Sequence, residues 1–94
     1  MANKAKASHI LVKTEEQAKE LLRKLNLGES FEKLAQEFSQ CPSRKRGGSL
    51  GEFGRGQMVR EFEKAVFSAK KGQIIGPIKT QFGWHIIKVE DLWG

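Results

Sequence analysis

Three side chains in this sequence have acid–base or nucleophilic chemistry near neutral pH: His9, His85 and Cys41. Both histidines fall in alternating apolar stretches, KASHILVK at 6–13 and WHIIKVE at 84–90. His9 shares a strand face with Ala7 and Leu11, and His85 shares one with Ile87 and Val89, so both imidazoles point inward. Taken singly, each reads as a core histidine satisfied by a hydrogen bond. If the first and last strands are neighbours, the two rings can bond to one another inside the sheet, an arrangement costly to bury without a reason. A zinc site would need further ligands, and no Cys/His set has the spacing to supply them. Cys41 precedes Pro42 and the cations Arg44, Lys45 and Arg46, which favours thiolate. A Cys–His nucleophilic pair is therefore conceivable, although no oxyanion-hole motif and no orienting Asn or Asp accompanies it. The bland alternative is a small buried hydrophobe.

The elements that must position these groups follow from periodicity and capping. After the strand at 6–13, Thr14-Glu15-Glu16-Gln17 fits a capping box, and Ala18, Leu21, Leu22 and Leu25 form the buried stripe of a helix that Gly28 ends. Glu15/Lys19 and Glu20/Lys24 stand at the favourable i,i+4 spacing on its outer face. Ser30 caps a second helix with the stripe Phe31, Leu34, Ala35 and Phe38, terminated at Cys41-Pro42. Residues 43–48 are a basic loop, and 49–53 a short strand that Gly51 weakens. A third helix carries Phe62, Ala65, Val66 and Ala69 and stops at Gly72. Gly76-Pro77-Ile78 is extended, and Gln81-Phe82-Gly83 turns the chain into the last strand. The order is strand, helix, helix, strand, helix, strand, strand: an α+β domain with a small, mostly antiparallel sheet covered by helices.

Ninety-four residues make a single domain, 1–94, with one core. No apolar run is long enough to span a bilayer. The N-terminus carries Lys4 and Lys6 but no apolar signal segment, which makes a cytoplasmic protein the simplest reading, although a domain cut from a longer secreted chain would look similar. The net charge of +6 invites polyanions, but no nucleic-acid motif supports a partner of that kind beyond weak binding by the basic loop. No membrane partner, metal or cofactor is indicated. A monomer is expected, since no apolar surface stripe is left unassigned.

The segments ASHILVK, CPSRKRGGSLGEFGRGQMVREFE, KAVFSAKKGQIIGPIKT and QFGWHIIKV, in this order from about Ala5 to Val89, resemble the parvulin family of peptidyl-prolyl cis/trans isomerases. The chain is similar to the short, single-domain prokaryotic kind. The resemblance implies an FKBP-like fold of four strands with helices around them, and proline-containing polypeptides as substrates. It places His9 and His85 as the paired core histidines, with Thr80 tied into their network and Cys41 facing the reacting amide. It also places Met58 and Phe62 in a proline pocket, with Leu50 and Phe82 as further walls. Phosphate-directed members carry a basic cluster in a long loop after the first strand. Here that connection is Lys13-Thr14-Glu15-Glu16, short and acidic, so no phosphate-directed preference is expected. Position 61, proline in many relatives, is Glu61. Two other functional classes compete with an isomerase: a polypeptide-binding module that has lost turnover, and a basic nucleic-acid-binding protein.

Overall fold

The computed structural model describes residues 2–94 and has the expected element order. β1 (Lys4–Val12) is followed by α1 (Glu15–Asn26), α2 (Phe31–Phe38), a 3₁₀ turn (Pro42–Arg46), β2 (Ser49–Gly54), α3 (Arg60–Ser68), β3 (Ile74–Thr80) and β4 (Gly83–Trp93). The strands form one sheet in the order β2-β1-β4-β3, with every neighbouring pair antiparallel. β1 and β4 are the central strands, and their register sets His9 opposite Ile87 and Leu11 opposite His85.

Helices cover both faces of this sheet, giving two apolar layers. On one face Ile10, Val12 and Ile86 pack with Ala18 and Leu21 of α1 and Phe31, Leu34 and Ala35 of α2. On the other, Ala5, Ala7, Ile87 and Val89 pack with Phe53 and with Phe62 and Val66 of α3. The alanines on β1 leave room for the large rings opposite, as interior packing requires. Alternation along β1 assigns Ser8, Ile10 and Val12 to the first layer and Ala7 and His9 to the second.

Local chemistry sets the element ends. Thr14 Oγ1 accepts from the Gln17 amide at 3.2 Å, and the Gln17 side chain reaches back to the Thr14 hydroxyl rather than to its backbone. Ser30 Oγ accepts from the Lys33 amide at 3.3 Å. α2 stops at Phe38, before Cys41-Pro42, because Ser39 is already extended. Phe38 is not part of a buried stripe: it is 37% exposed. Lys24 lies 5.0 Å above its ring instead of pairing with Glu20, which binds Arg23. The Glu15–Lys19 pair forms, at 3.9 Å. β2 tolerates Gly51, whose φ is +70°, near a register shift against β1. Pro77 lies on edge strand β3, in the irregular stretch between Ile75 and Ile78, where no ladder donor is lost.

Two glycines hold the histidine strands from the side. Gly48 (φ +89°) donates no Cβ where one would stand 2.5 Å from the His9 carbonyl oxygen, and its own carbonyl accepts from the His9 amide at 2.9 Å. Gly76 approaches the His85 carbonyl in the same way, at 2.8 Å from a virtual Cβ. We expect Gly48→Ala to lower the free energy of unfolding by 2 kcal/mol or more, where left-handed strain alone costs about 1–2 kcal/mol. Gly28→Ala, with φ +96° but open space around it, should cost only the strain. Urea unfolding of the two variants measures the difference, and equal losses would remove the role given to the Gly48–His9 contact.

Candidate active site

The β1–β4 register brings the two imidazoles together on the α3 face. His9 Nδ1 and His85 Nδ1 lie 2.9 Å apart, both rings buried. One of these nitrogens must carry a proton and the other a lone pair, so two imidazolium rings could not make this contact. His85 Nε2 meets Thr80 Oγ1 at 2.7 Å, and the same hydroxyl oxygen accepts from the Phe82 amide at 3.2 Å. Thr80, His85 and His9 thus form one chain of hydrogen bonds running from the β3–β4 turn into the sheet. Phe62 closes over the pair edge-on, 5.6 Å from the His9 ring and 5.4 Å from His85. Burial pushes His9 down from 6.5 to about 4, with repulsion from His85 adding to it. Burial alone holds His85 at about 4. Both rings are therefore neutral at physiological pH.

Beside the pair opens a pocket of about 470 Å³. His9, His85 and Phe62 form its floor, and Leu50, Met58, Phe82 and Cys41 its walls. Seven of the eight residues singled out in the sequence line it; Thr80 lies behind, in contact with His85. Phe82 is 62% exposed, at the tip of the β3–β4 turn. Sequence reasoning missed Leu11, Gln40, Pro42, Gln57 and Val59, which also line the pocket. Of these, Gln57 and Val59 flank Met58 directly, a signal that was available. Among the described residues no Lys, Arg, Asp or Glu lines the pocket.

Cys41 is delivered to the wall by a small polar clasp. The buried Ser39 Oγ accepts from the Leu11 amide at 3.1 Å and from the Cys41 amide at 3.3 Å. The Gln40 amide donates to the Leu11 carbonyl at 2.7 Å. The segment after α2 is thereby laid along the end of β1. Among the described residues no cluster of His, Cys, Asp and Glu is grouped to hold a metal ion.

The low imidazole values have a consequence for stability. The unfolded chain protonates its histidines near pH 6.5, while the folded protein resists until about pH 4. Between those values the unfolded state binds more protons, so stability is complete above pH 6.5 and falls as pH drops toward 4. Urea midpoints should be flat above pH 7 and decline through pH 6 and 5, above the range where carboxylates titrate. A flat profile from pH 7 to 5 would mean that the rings are not held neutral.

Residues 3–91 match the PPIC-type PPIase (rotamase) domain family. The foldase protein PrsA of Geobacillus kaustophilus is 56% identical over 89 residues, which is 94% of this chain and 32% of that protein. The chain spans about a third of the length of the curated relatives it matches. The crystal structure of PrsA from Bacillus anthracis superposes with a TM-score of 0.96 at 46% identity, covering 99% of this chain and 43% of that one. The solution structure of NmPin, the parvulin of Nitrosopumilus maritimus, gives 0.86 at 46% identity over 97% of this chain and 99% of that one. Motif order, sheet topology and these matches agree: the chain belongs to the parvulin family of peptidyl-prolyl cis/trans isomerases.

Proposed function

We propose that this domain accelerates rotation about X-Pro bonds in unfolded or exposed polypeptide segments, without covalent chemistry and without a preference for phosphorylated residues. The observation that carries this reading is an uncharged, apolar pocket floored by two neutral, mutually bonded imidazoles. The reaction makes and breaks no σ bond. Its barrier of about 18–20 kcal/mol is the lost amide conjugation. A twisted amide is less polar than a planar one, so a pocket of Met58, Phe62 and Phe82 favours it over the ground state. Shortening a half-life of about a minute to milliseconds requires about 5–6 kcal/mol, within reach of apolar contact and one or two hydrogen bonds.

The histidine pair serves as a rigid floor rather than as a proton carrier, since burial keeps both rings neutral and bonded to each other. Cys41 acts by polarity beside the carbonyl and not as a nucleophile: neither histidine is bonded to its thiol, and both Nδ1 atoms are already engaged. The β1–α1 connection is only Lys13 and Thr14, with Glu15 and Glu16 in the first turn of α1. It offers no basic loop for a phosphate group. As a second class, a binding module without turnover would keep the pocket and lose the rate.

NMR exchange between cis and trans forms in short X-Pro peptides tests the proposal. Accelerated exchange is expected at catalytic protein concentrations, with phosphoserine before proline giving no gain over Glu or Leu. Met58→Ala should reduce kcat/KM by about 10-fold or more, the equivalent of removing one large apolar contact. Cys41→Ser and Cys41→Asp should retain most activity, and loss in both would restore a covalent route. Exchange no faster than in buffer would leave a binding module.

A further inference from the structure

We propose that Gln57 is a substrate-positioning residue, whose side-chain amide donates a hydrogen bond to the carbonyl of the proline held in the pocket. This rests on the isomerase reading above. The pocket offers few strong donors. Both nitrogens of His85 and Nδ1 of His9 are committed, and His9 Nε2 is buried. The remaining walls are apolar apart from Cys41, Gln40 and Gln57. Rotation about an amide needs one side held while the other turns, and an apolar ring contact alone resists sliding poorly.

Gln57 is built for that task. Its Oε1 accepts from the Gly54 amide at 2.7 Å. A backbone N–H can be received only by the oxygen, so this bond settles the amide's orientation and leaves Nε2, with two protons, without a hydrogen bond among the described residues. The loop carrying it, between β2 and α3, is pinned at further points. The Gly56 amide donates to Glu63, the Arg55 guanidinium lies 4.3 Å over the Phe67 ring, and Arg55 Nη2 donates to the Ala2 carbonyl at 2.9 Å. Met58, the next residue, is a wall of the same pocket. A donor already fixed in place loses little freedom when it binds. Gln40, by contrast, has no side-chain hydrogen bond to orient its amide among those of the described residues.

Gln57→Glu separates the two functions of the side chain: a carboxylate still accepts from Gly54 and donates nothing. Gln57→Met removes both bonds. Peptide exchange rates measured across substrate concentration, with thermal unfolding in parallel, read the outcome. Both variants should lose about 3- to 10-fold in kcat/KM, the worth of one neutral hydrogen bond, carried by a higher KM with kcat little changed. Gln57→Glu should do so at an unfolding temperature close to that of the unsubstituted protein. A peptide whose proline carbonyl is an ester, a weaker acceptor, should cost the unsubstituted enzyme a similar factor and Gln57→Glu almost nothing further. The inference fails if Gln57→Glu is fully active on an amide substrate that the unsubstituted protein turns over, if only Gln57→Met is impaired, or if the loss lies in kcat alone. An unsubstituted protein without activity would instead sink the isomerase reading on which it rests.

Discussion

The register of β1 against β4 is the constraint on which the rest of the site depends. His9 faces Ile87 and His85 faces Leu11, so the imidazoles are diagonal neighbours on one face of the sheet. A slip of one residue would send one ring to the opposite layer, among Ile10, Val12 and the α1–α2 side chains. Each ring would then be a buried polar group without its partner, at a cost of about 1–3 kcal/mol apiece. The Nδ1–Nδ1 bond thus depends on the correct pairing and also penalises the wrong one. Gly48 and Gly76 bear on the same two strands, each close to a histidine carbonyl, so the ring positions are limited from the backbone side as well.

From this constraint follows a division of labour between the faces. The layer under α1 and α2 has a sealed centre, with Ile10, Ile86, Ala18 and Ala35 fully buried. The opposite layer is tight only over its lower half, where Ala5, Ala7 and Val89 meet Phe53 and Val66. Toward the His9–Leu11 end, α3 contributes Phe62 and then gives way to the pocket. Phe62 belongs to both regions: it packs on Phe53 at 6.2 Å and stands edge-on to both imidazoles. Packing of the core therefore sets the pocket floor, and an apolar ring can be gripped there without unfolding anything beneath it.

Much of this was readable in the residue pattern, because the decisive signals were local. Alternation placed both histidines inward, Thr14 and Ser30 marked helix starts, and the family resemblance placed Leu50 and Met58 at a proline pocket. What the pattern concealed depends on contacts distant in sequence. β4 runs on to Trp93 because Lys4 pairs with it across the sheet, and nothing in EDLW announces that partner. Phe38 sits at a helical stripe position, yet it stays 37% exposed at a cleft it shares with Val12 and Leu21, and Lys24 lies over its ring. Leu11, Gln40 and Pro42 reach the pocket only because the buried Ser39 ties two segments together. A lone serine after a helix carries no such message in sequence.

The basic stretch at Arg44–Arg46 shows how charge and chemistry are kept apart within a few residues. These residues form a 3₁₀ turn whose first residue, Pro42, lines the pocket, while Arg44, Lys45 and Arg46 are exposed. The cations stand at the C-terminal end of the turn, where unpaired carbonyls favour them, and Gly47 closes it in a left-handed conformation, with φ +68°. The turn therefore presents proline to the apolar site and its charges to water. The separation matters for the proposed reaction. A twisting amide loses dipole, so an uncharged, apolar wall favours the twisted form over the planar one. With no ionic side chain lining the pocket and both imidazoles neutral, the site's field is weak where the amide turns. The excess positive charge of this turn is left to the outer surface, away from the proposed rotation step.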